Sequence, residues 1–193
     1  QKLKALTSLQ GRMQDLEGNF IEPTKSKEFK KLLIERIKKG DRILVFSSFL
    51  EVLDDTGEFL EKNGIKHFRI DGALPASERQ KITREFNGND EYKVVLISLK
   101  AGAAGLNLVG ANVVIHYDLW WNPSIENQAN DRAYRIGQEK NVEIIKLVCS
   151  GTIEERILKL QKKKQDLFDI IIEGAKGSPA GMTTAKDLEE LIT

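Results

Sequence analysis

Two arginines, Arg132 and Arg135, stand three residues apart in the run Asn127-Gln128-Ala129-Asn130-Asp131-Arg132-Ala133-Tyr134-Arg135-Ile136-Gly137-Gln138. On a helix this spacing puts both guanidinium groups on one face. Gln128, one turn earlier, joins that face, with Asp131 beside it. Two permanently charged planar forks on a rigid surface suit a polyphosphate or a carboxylate network. An Arg-x-x-Arg pair by itself is more often a solvated helix face with ordinary ion pairs, so the surrounding elements must decide between the two.

Those elements alternate. Phe29, Leu32, Leu33 and Ile37 mark a helical stripe over 26–39, stopped by Gly40. The apolar run 42–47 reads as a strand buried on both faces. A helix over 49–63 ends at Gly64, and a strand over 66–70 leads into Asp71-Gly72. Ser77-Glu78-Arg79-Gln80 has the form of a capping box, opening a helix to about Phe86. Strands are expected over 93–98, 113–117 and 142–148, with a helix over 124–136 carrying both arginines. Thr152-Ile153-Glu154-Glu155 opens a last long helix to about Ile172. Strands alternating with helices imply an α/β fold with an open, mostly parallel sheet.

In such sheets, ligands bind beyond the carboxyl ends of the strands. Ser47 and Ser48, then Asp71 and Gly72, then Asp118 with Trp120, Trp121, Asn122 and Pro123 all fall there. The run 99–108 after the third strand is rich in small residues, which let a backbone approach a phosphate, although tight packing is the plainer explanation. Paired tryptophans mark a packing or binding surface, and at least one is expected in the core.

Absences narrow the chemistry further. No Gly-x-x-x-x-Gly-Lys-Ser/Thr phosphate loop occurs, no metal-ligand cluster is legible, and His67 and His116 are isolated. No Ser–His–Asp constellation is apparent. Arginines and phosphate-sized turns without the rest of a nucleotide hydrolase suit half of a two-lobed site. With 40% hydrophobic and 31% charged residues the chain reads as a soluble globular domain, and its net charge of +1 gives no global attraction to nucleic acid. Cys149, the one cysteine, reads as core filler and excludes an internal disulfide. No apolar run is long enough to span a membrane, so no membrane partner is expected. The start without Met suggests a piece of something longer.

Several blocks, taken in order, resemble the C-terminal RecA-like lobe of Swi/Snf-type ATPases in helicase superfamily two. Arg42-Ile-Leu-Val-Phe-Ser-Ser-Phe49 is similar to that family's motif IV, and Arg69-Ile-Asp-Gly72 with Glu78-Arg79-Gln80 to the block after it. Leu96-Ile-Ser-Leu-Lys-Ala-Gly-Ala-Ala-Gly-Leu-Asn-Leu108 resembles motif V. Tyr117-Asp118 with Trp121-Asn122-Pro123 resembles the segment before motif VI, and 128–138 resembles motif VI itself. Two departures are small: Gly102-Ala103-Ala104-Gly105 replaces a more glycine-rich turn, and Tyr134 stands where motif VI usually has His. The Tyr-Asp-x-Trp-Trp-Asn-Pro wording looks more like bacterial members than eukaryotic remodellers.

The resemblance implies a division at 1–24 (extension or remnant of an interlobe connection), 25–151 (RecA-like lobe), 152–173 (brace helix) and 174–193 (a Gly-rich linker, then a short helix over 184–192). It implies ATP and Mg2+ held mainly by an N-terminal RecA-like lobe, with Arg135 first and Arg132 second as arginine fingers. Gln128 and Asp131 would orient them, and Gly105 and Asn107 would link motif V to the cleft. Ser47, Ser48, Arg69, Gly72, Ser98 and Lys100 would line a track for one strand of double-stranded DNA, and Trp121 would couple DNA to ATP. A DNA-bound protein is the kind of target such a motor acts on. The location would be the nucleoid of a bacterium or the nucleus of a eukaryote. Ile153, Ile157, Leu160, Lys164, Leu167 and Ile171 would form the brace helix's packing seam. Lys162-Lys163-Lys164 reads as a solvated face. The alternatives are the equivalent lobe of an RNA helicase, which the Trp-Asn-Pro and Arg-Ile-Gly-Gln wording opposes, and a non-enzymatic protein-interaction module using the long helix.

Overall fold

A computed structural model describes residues 13–14, 20–102, 105–135, 138 and 140–175. β1 (Met13–Gln14) and β2 (Phe20–Ile21) form a small antiparallel pair. The remaining elements are α1 (Thr24–Lys38), β3 (Ile43–Ser47), α2 (Leu50–Lys62), β4 (His67–Ile70) and α3 (Ala76–Gly88). They continue with β5 (Val94–Ser98), α4 (Leu99–Gly102), β6 (Val113–His116), α5 (Pro123–Asn130), β7 (Glu143–Lys146) and α6 (Ile153–Ala175). β3 to β7 make a five-stranded, all-parallel sheet in the order β4-β5-β3-β6-β7.

β3, β5 and β6 are buried at every position, as strands covered on both faces must be. Their alternate side chains feed two cores. Ile43, Val45, Val94, Leu96, Val113 and Ile115 pack with Phe29 and Leu33 of α1 and Val52, Leu53 and Leu60 of α2. Leu44, Phe46, Val95, Ile97 and Val114 face the other way, against Phe86 of α3, Leu106 and Leu108, and Ala129 of α5. β6 lies on the opposite side of β3 from β4 and β5, so the sheet order reverses between β3 and β6. That reversal opens a crevice at the strand ends.

Three expectations need correction. The helix expected over 124–136 ends at Asn130, with Asp131 as its C-cap. Beyond it the bonds tighten, Arg132 N–H reaching Ala129 and Ala133 N–H reaching Asn130, while the Arg132 carbonyl accepts Leu108 N–H at 2.8 Å. That carbonyl is the one a further turn would use, so the chain leaves the helix there. Arg132 and Arg135 therefore do not share a helix face. Second, α3 begins at Ala76 with Pro75 as its N-cap and no side-chain cap, two residues earlier than the Ser77 capping box implied. Third, the seam of α6 runs through Ile157 and Gln161, both buried, whereas Leu160 and Lys164 are exposed.

Thr152 does cap α6: its hydroxyl accepts Glu154 N–H at 3.2 Å and donates to the Cys149 carbonyl. Buried Glu154 pairs with Lys25 and accepts Cys149 N–H, which ties the start of α6 to α1. Cys149 is half-buried, and burial pushes its thiol pKa up. α6 continues through Gly174, where the linker was expected to begin, and the short helix over 184–192 lies outside the described residues. No helix among the described residues is long and apolar enough to cross a membrane.

Candidate functional site at the strand ends

The crevice between β3 and β6 is organised by Asp118. Its Oδ1 accepts the Ser47 hydroxyl at 2.6 Å and Ser48 N–H at 2.9 Å, while Ser47 Oγ also accepts Phe49 N–H. Ser47 is buried, so its hydroxyl shapes the turn instead of facing a ligand. Ser98, its register partner on β5, is buried too, and its Oγ accepts Ala101 N–H at 3.4 Å. Ser48 is half-buried, and Lys100 on α4 is exposed.

β4 brings Arg69 to the sheet edge with its charge already engaged, Nε to Asp71 at 3.0 Å and Nη1 to Asp54. Burial pulls the Arg69 pKa down, but the two carboxylates outweigh it and raise it. Gly72 follows in an exposed turn with open space around its Cα, and its carbonyl accepts Arg79 Nη2 at 3.4 Å.

The second half of the site is the corner where the loop after α4 meets the end of α5. Arg132 is 7% exposed. Its Nε donates to the Gln128 carbonyl at 2.8 Å and its Nη1 to the Leu106 carbonyl at 3.4 Å. Burial, reinforced by the neighbouring Arg135 charge, lowers the Arg132 pKa. Arg135 is exposed, and among the described residues neither guanidinium has an ion-pair partner. A guanidinium carries five N–H donors, so Arg132 keeps donors beyond the two engaged. Gly105 has φ +27°, a conformation that favours glycine, and the Asn107 carbonyl accepts Asn87 Nδ2 at 2.7 Å. Gly105 and Asn107 line a cavity of about 570 Å³ with Arg79, Gln80 and Arg84 of α3.

Gln128 and Asp131 are placed differently from the expectation. Both line a cleft of about 460 Å³ between α5 and α6, shared with Asn122, Ser124 and Lys164. Gln128 holds Arg132 through its backbone carbonyl, not its amide. The tryptophans divide. Trp120 packs against the core, while Trp121 is 42% exposed on the loop between β6 and α5.

Sequence reasoning missed three residues that hold this corner. Asn87 bridges α3 to the loop, donating to Asn107 and accepting Gly110 N–H at 3.0 Å. Gln138 Nε2 donates to the carbonyls of Val109, Ala111 and Ala133. Glu126, buried on α5, accepts Trp120 N–H at 2.7 Å. Only Gln138 carried a signal, as the last residue of the arginine-bearing run. Among the described residues no group of three His, Cys, Asp or Glu side chains is placed to hold a metal ion.

Residues 24–137 match the family of the helicase conserved C-terminal domain. Transcription termination factor 2 of Drosophila melanogaster is 46% identical over 153 residues, which cover 79% of this chain and 14% of that protein. The putative ATP-dependent helicase/translocase YwqA of Bacillus subtilis is 42% identical over 156 residues, covering 80% and 17%. The crystal structure of the C-terminal part of the Fun30 ATPase domain superposes with a TM-score of 0.68 at 38% identity, covering 72% of this chain and 45% of that one. The chain spans between 10% and 17% of the length of the curated relatives it matches. The parallel sheet flanked by helices is thus the RecA-like fold.

Proposed function

Because this chain belongs to the helicase conserved C-terminal domain family, among its Swi/Snf-type members, we propose that it is the second motor lobe of an ATP-driven translocase on double-stranded DNA. The observation that carries this reading is Arg132, a buried guanidinium held by backbone carbonyls alone, with exposed Arg135 beside it. A structural arginine in a protein interior is ordinarily paired with a carboxylate. One that keeps unused donors next to a second cation is suited to a polyanion arriving from outside.

In this reading an N-terminal lobe of the same protein holds ATP and Mg2+, and closure of the lobes brings Arg135 and Arg132 to the phosphates. A fixed guanidinium acts most strongly as negative charge develops on the transferring phosphoryl group. Leu108 N–H and the Arg132 carbonyl link motif VI to motif V, so the seating of Gly105 and Asn107 sets where Arg132 sits. Gln128 supports Arg132 through its carbonyl, and Asp131 faces α6.

The DNA track runs over the strand ends. Lys100, the Gly72 turn and the Ser48 turn meet phosphates, while Ser47, Ser98 and Arg69 shape those turns through Asp118, Ala101 and Asp71. Such contacts position a backbone without reading sequence and give a strong salt dependence. Trp121, presented on the β6–α5 loop, meets the duplex and couples it to the arginine corner through α5.

The test is ATP hydrolysis by the two-lobed parent with duplex DNA, single-stranded DNA or RNA, comparing wild type with Arg135→Ala. Duplex-stimulated turnover that collapses in the variant, with DNA binding retained, is expected. Stimulation by RNA alone, or ATP turnover by the purified 193 residues alone, would overturn the reading.

A further inference from the structure

A second cluster of buried polar side chains joins α5, β7 and α6. Glu126 is 1% exposed, and its Oε1 accepts both Trp120 N–H and Gln161 Nε2 at 2.7 Å. Its other oxygen pairs with Lys146 Nζ at 2.6 Å, and Lys146 also donates to Gln161 Oε1 at 3.2 Å. Gln161 Nε2 donates in addition to the Trp120 carbonyl. The N–H and the C=O of Trp120 are therefore both gripped, one by a side chain of α5 and the other by a side chain of α6. The Trp120 ring packs into the core, and the residue after it is exposed Trp121. Asn122 then caps α5, its side chain accepting Ser124 N–H.

Apolar side chains would seat α6 on the lobe at least as well, because a buried charge has a large desolvation cost. Hydrogen bonds add direction. The Trp120 N–H belongs to the peptide before the residue and its C=O to the peptide leading into Trp121, so one bond on each fixes both planes, and hence the direction in which the next side chain leaves the loop. We propose that Glu126 and Gln161 are positioning residues that hold Trp121 in its DNA-facing orientation, so that the seating of α6 on the lobe is transmitted to the tryptophan. This deepens the function proposed above and rests on its assignment of Trp121 to DNA.

The test measures, in the two-lobed parent, the duplex concentration that half-saturates ATP hydrolysis, alongside kcat and the melting temperature. The variants are Trp121→Ala, Gln161→Ala and the double variant. Trp121→Ala should raise half-saturation roughly tenfold, the scale of one lost aromatic anchor in an interface. Gln161→Ala should raise it roughly threefold and add nothing in the Trp121→Ala background. A purely structural role would lower the melting temperature without moving half-saturation, and that result, or additive effects in the double variant, overturns the clamp. If Trp121→Ala itself leaves half-saturation unchanged, the assignment of Trp121 to DNA fails and the clamp falls with it. Should Gln161→Ala not fold, Gln161→Met takes its place, since it keeps side-chain length while removing the donor to the Trp120 carbonyl, and the same roughly threefold rise is expected.

Discussion

Two buried arginines at opposite ends of the same sheet show how differently one side chain can be used. Arg42 sits just before β3, at the amino ends of the strands, and four of its donor–acceptor pairs are made. Nε reaches the Tyr92 carbonyl, Nη1 pairs with Asp90 at 2.8 Å, and Nη2 serves the carbonyls of Phe86 and Asn89. The guanidinium also lies 4.1 Å over the Phe86 ring. It closes the carboxyl end of α3, where orphan carbonyls need donors. Arg132, at the other end, has two carbonyl acceptors and no ion-pair partner among the described residues. Burial lowers both pKa values; Asp90 opposes that at Arg42, whereas at Arg132 the Arg135 charge adds to it more than Asp131 opposes it. The saturated arginine serves the fold, whereas the unsaturated one keeps donors for the polyanion of the function proposed above.

The contrast can be broken first at the top of the sheet. In the two-lobed parent, Arg135→Ala should lower ATP turnover by a factor on the order of 10³–10⁵. Its melting temperature should stay within a degree or two, because the residue is exposed. An equal loss of stability and activity would erase the distinction. At the bottom, Arg42→Met should cost about 3 kcal/mol of unfolding free energy in urea titration, since it leaves the α3 carbonyls without donors. Turnover per folded molecule should survive.

Gly110→Ala sharpens the same end. A Cβ there would sit 2.8 Å from Arg42 Nη1 and 3.2 Å from Asn87 Oδ1, so about 1–3 kcal/mol of overpacking is expected by the same titration. The smallest effect belongs to His116, buried at the end of β6 and stacked on Phe46. Its Nε2 lies 2.8 Å from Asn130 Oδ1, so Nε2 carries the proton of the neutral ring. Burial depresses its pKa, so below about 6.5 the unfolded chain takes up a proton that the folded chain refuses. Stability should therefore be full above that range and fall as pH drops through it. His116→Gln should flatten that part of the curve in urea midpoints measured at several pH values.

Much of the scaffold was legible because burial on both faces leaves a periodic mark. β3, β5 and β6 are continuous apolar runs, and each lies within a residue of where the runs placed it. Boundaries set by local chemistry were less legible. Pro75 stands at the start of α3 where a serine looked better suited, and α5 stops short because the Arg132 carbonyl finds Leu108 instead of a further turn. The types of the site residues were readable; their availability was not. Ser47 and Ser98 looked like hydroxyls free to meet phosphate until Asp118 and Ala101 claimed them.

By itself the sequence determined which residues are charged, which runs must be buried, and in what order strands and helices follow, because hydrophobic periodicity is a local property of the chain. Only the tertiary structure decided which charges are answered. Arg42 meets Asp90, Phe86 and Asn89 from 44 to 48 residues away, and Glu126 meets Gln161 across 35. A guanidinium or a carboxylate is satisfied or spare only once its neighbours in space are known, and those neighbours are set by packing, not by spacing along the chain.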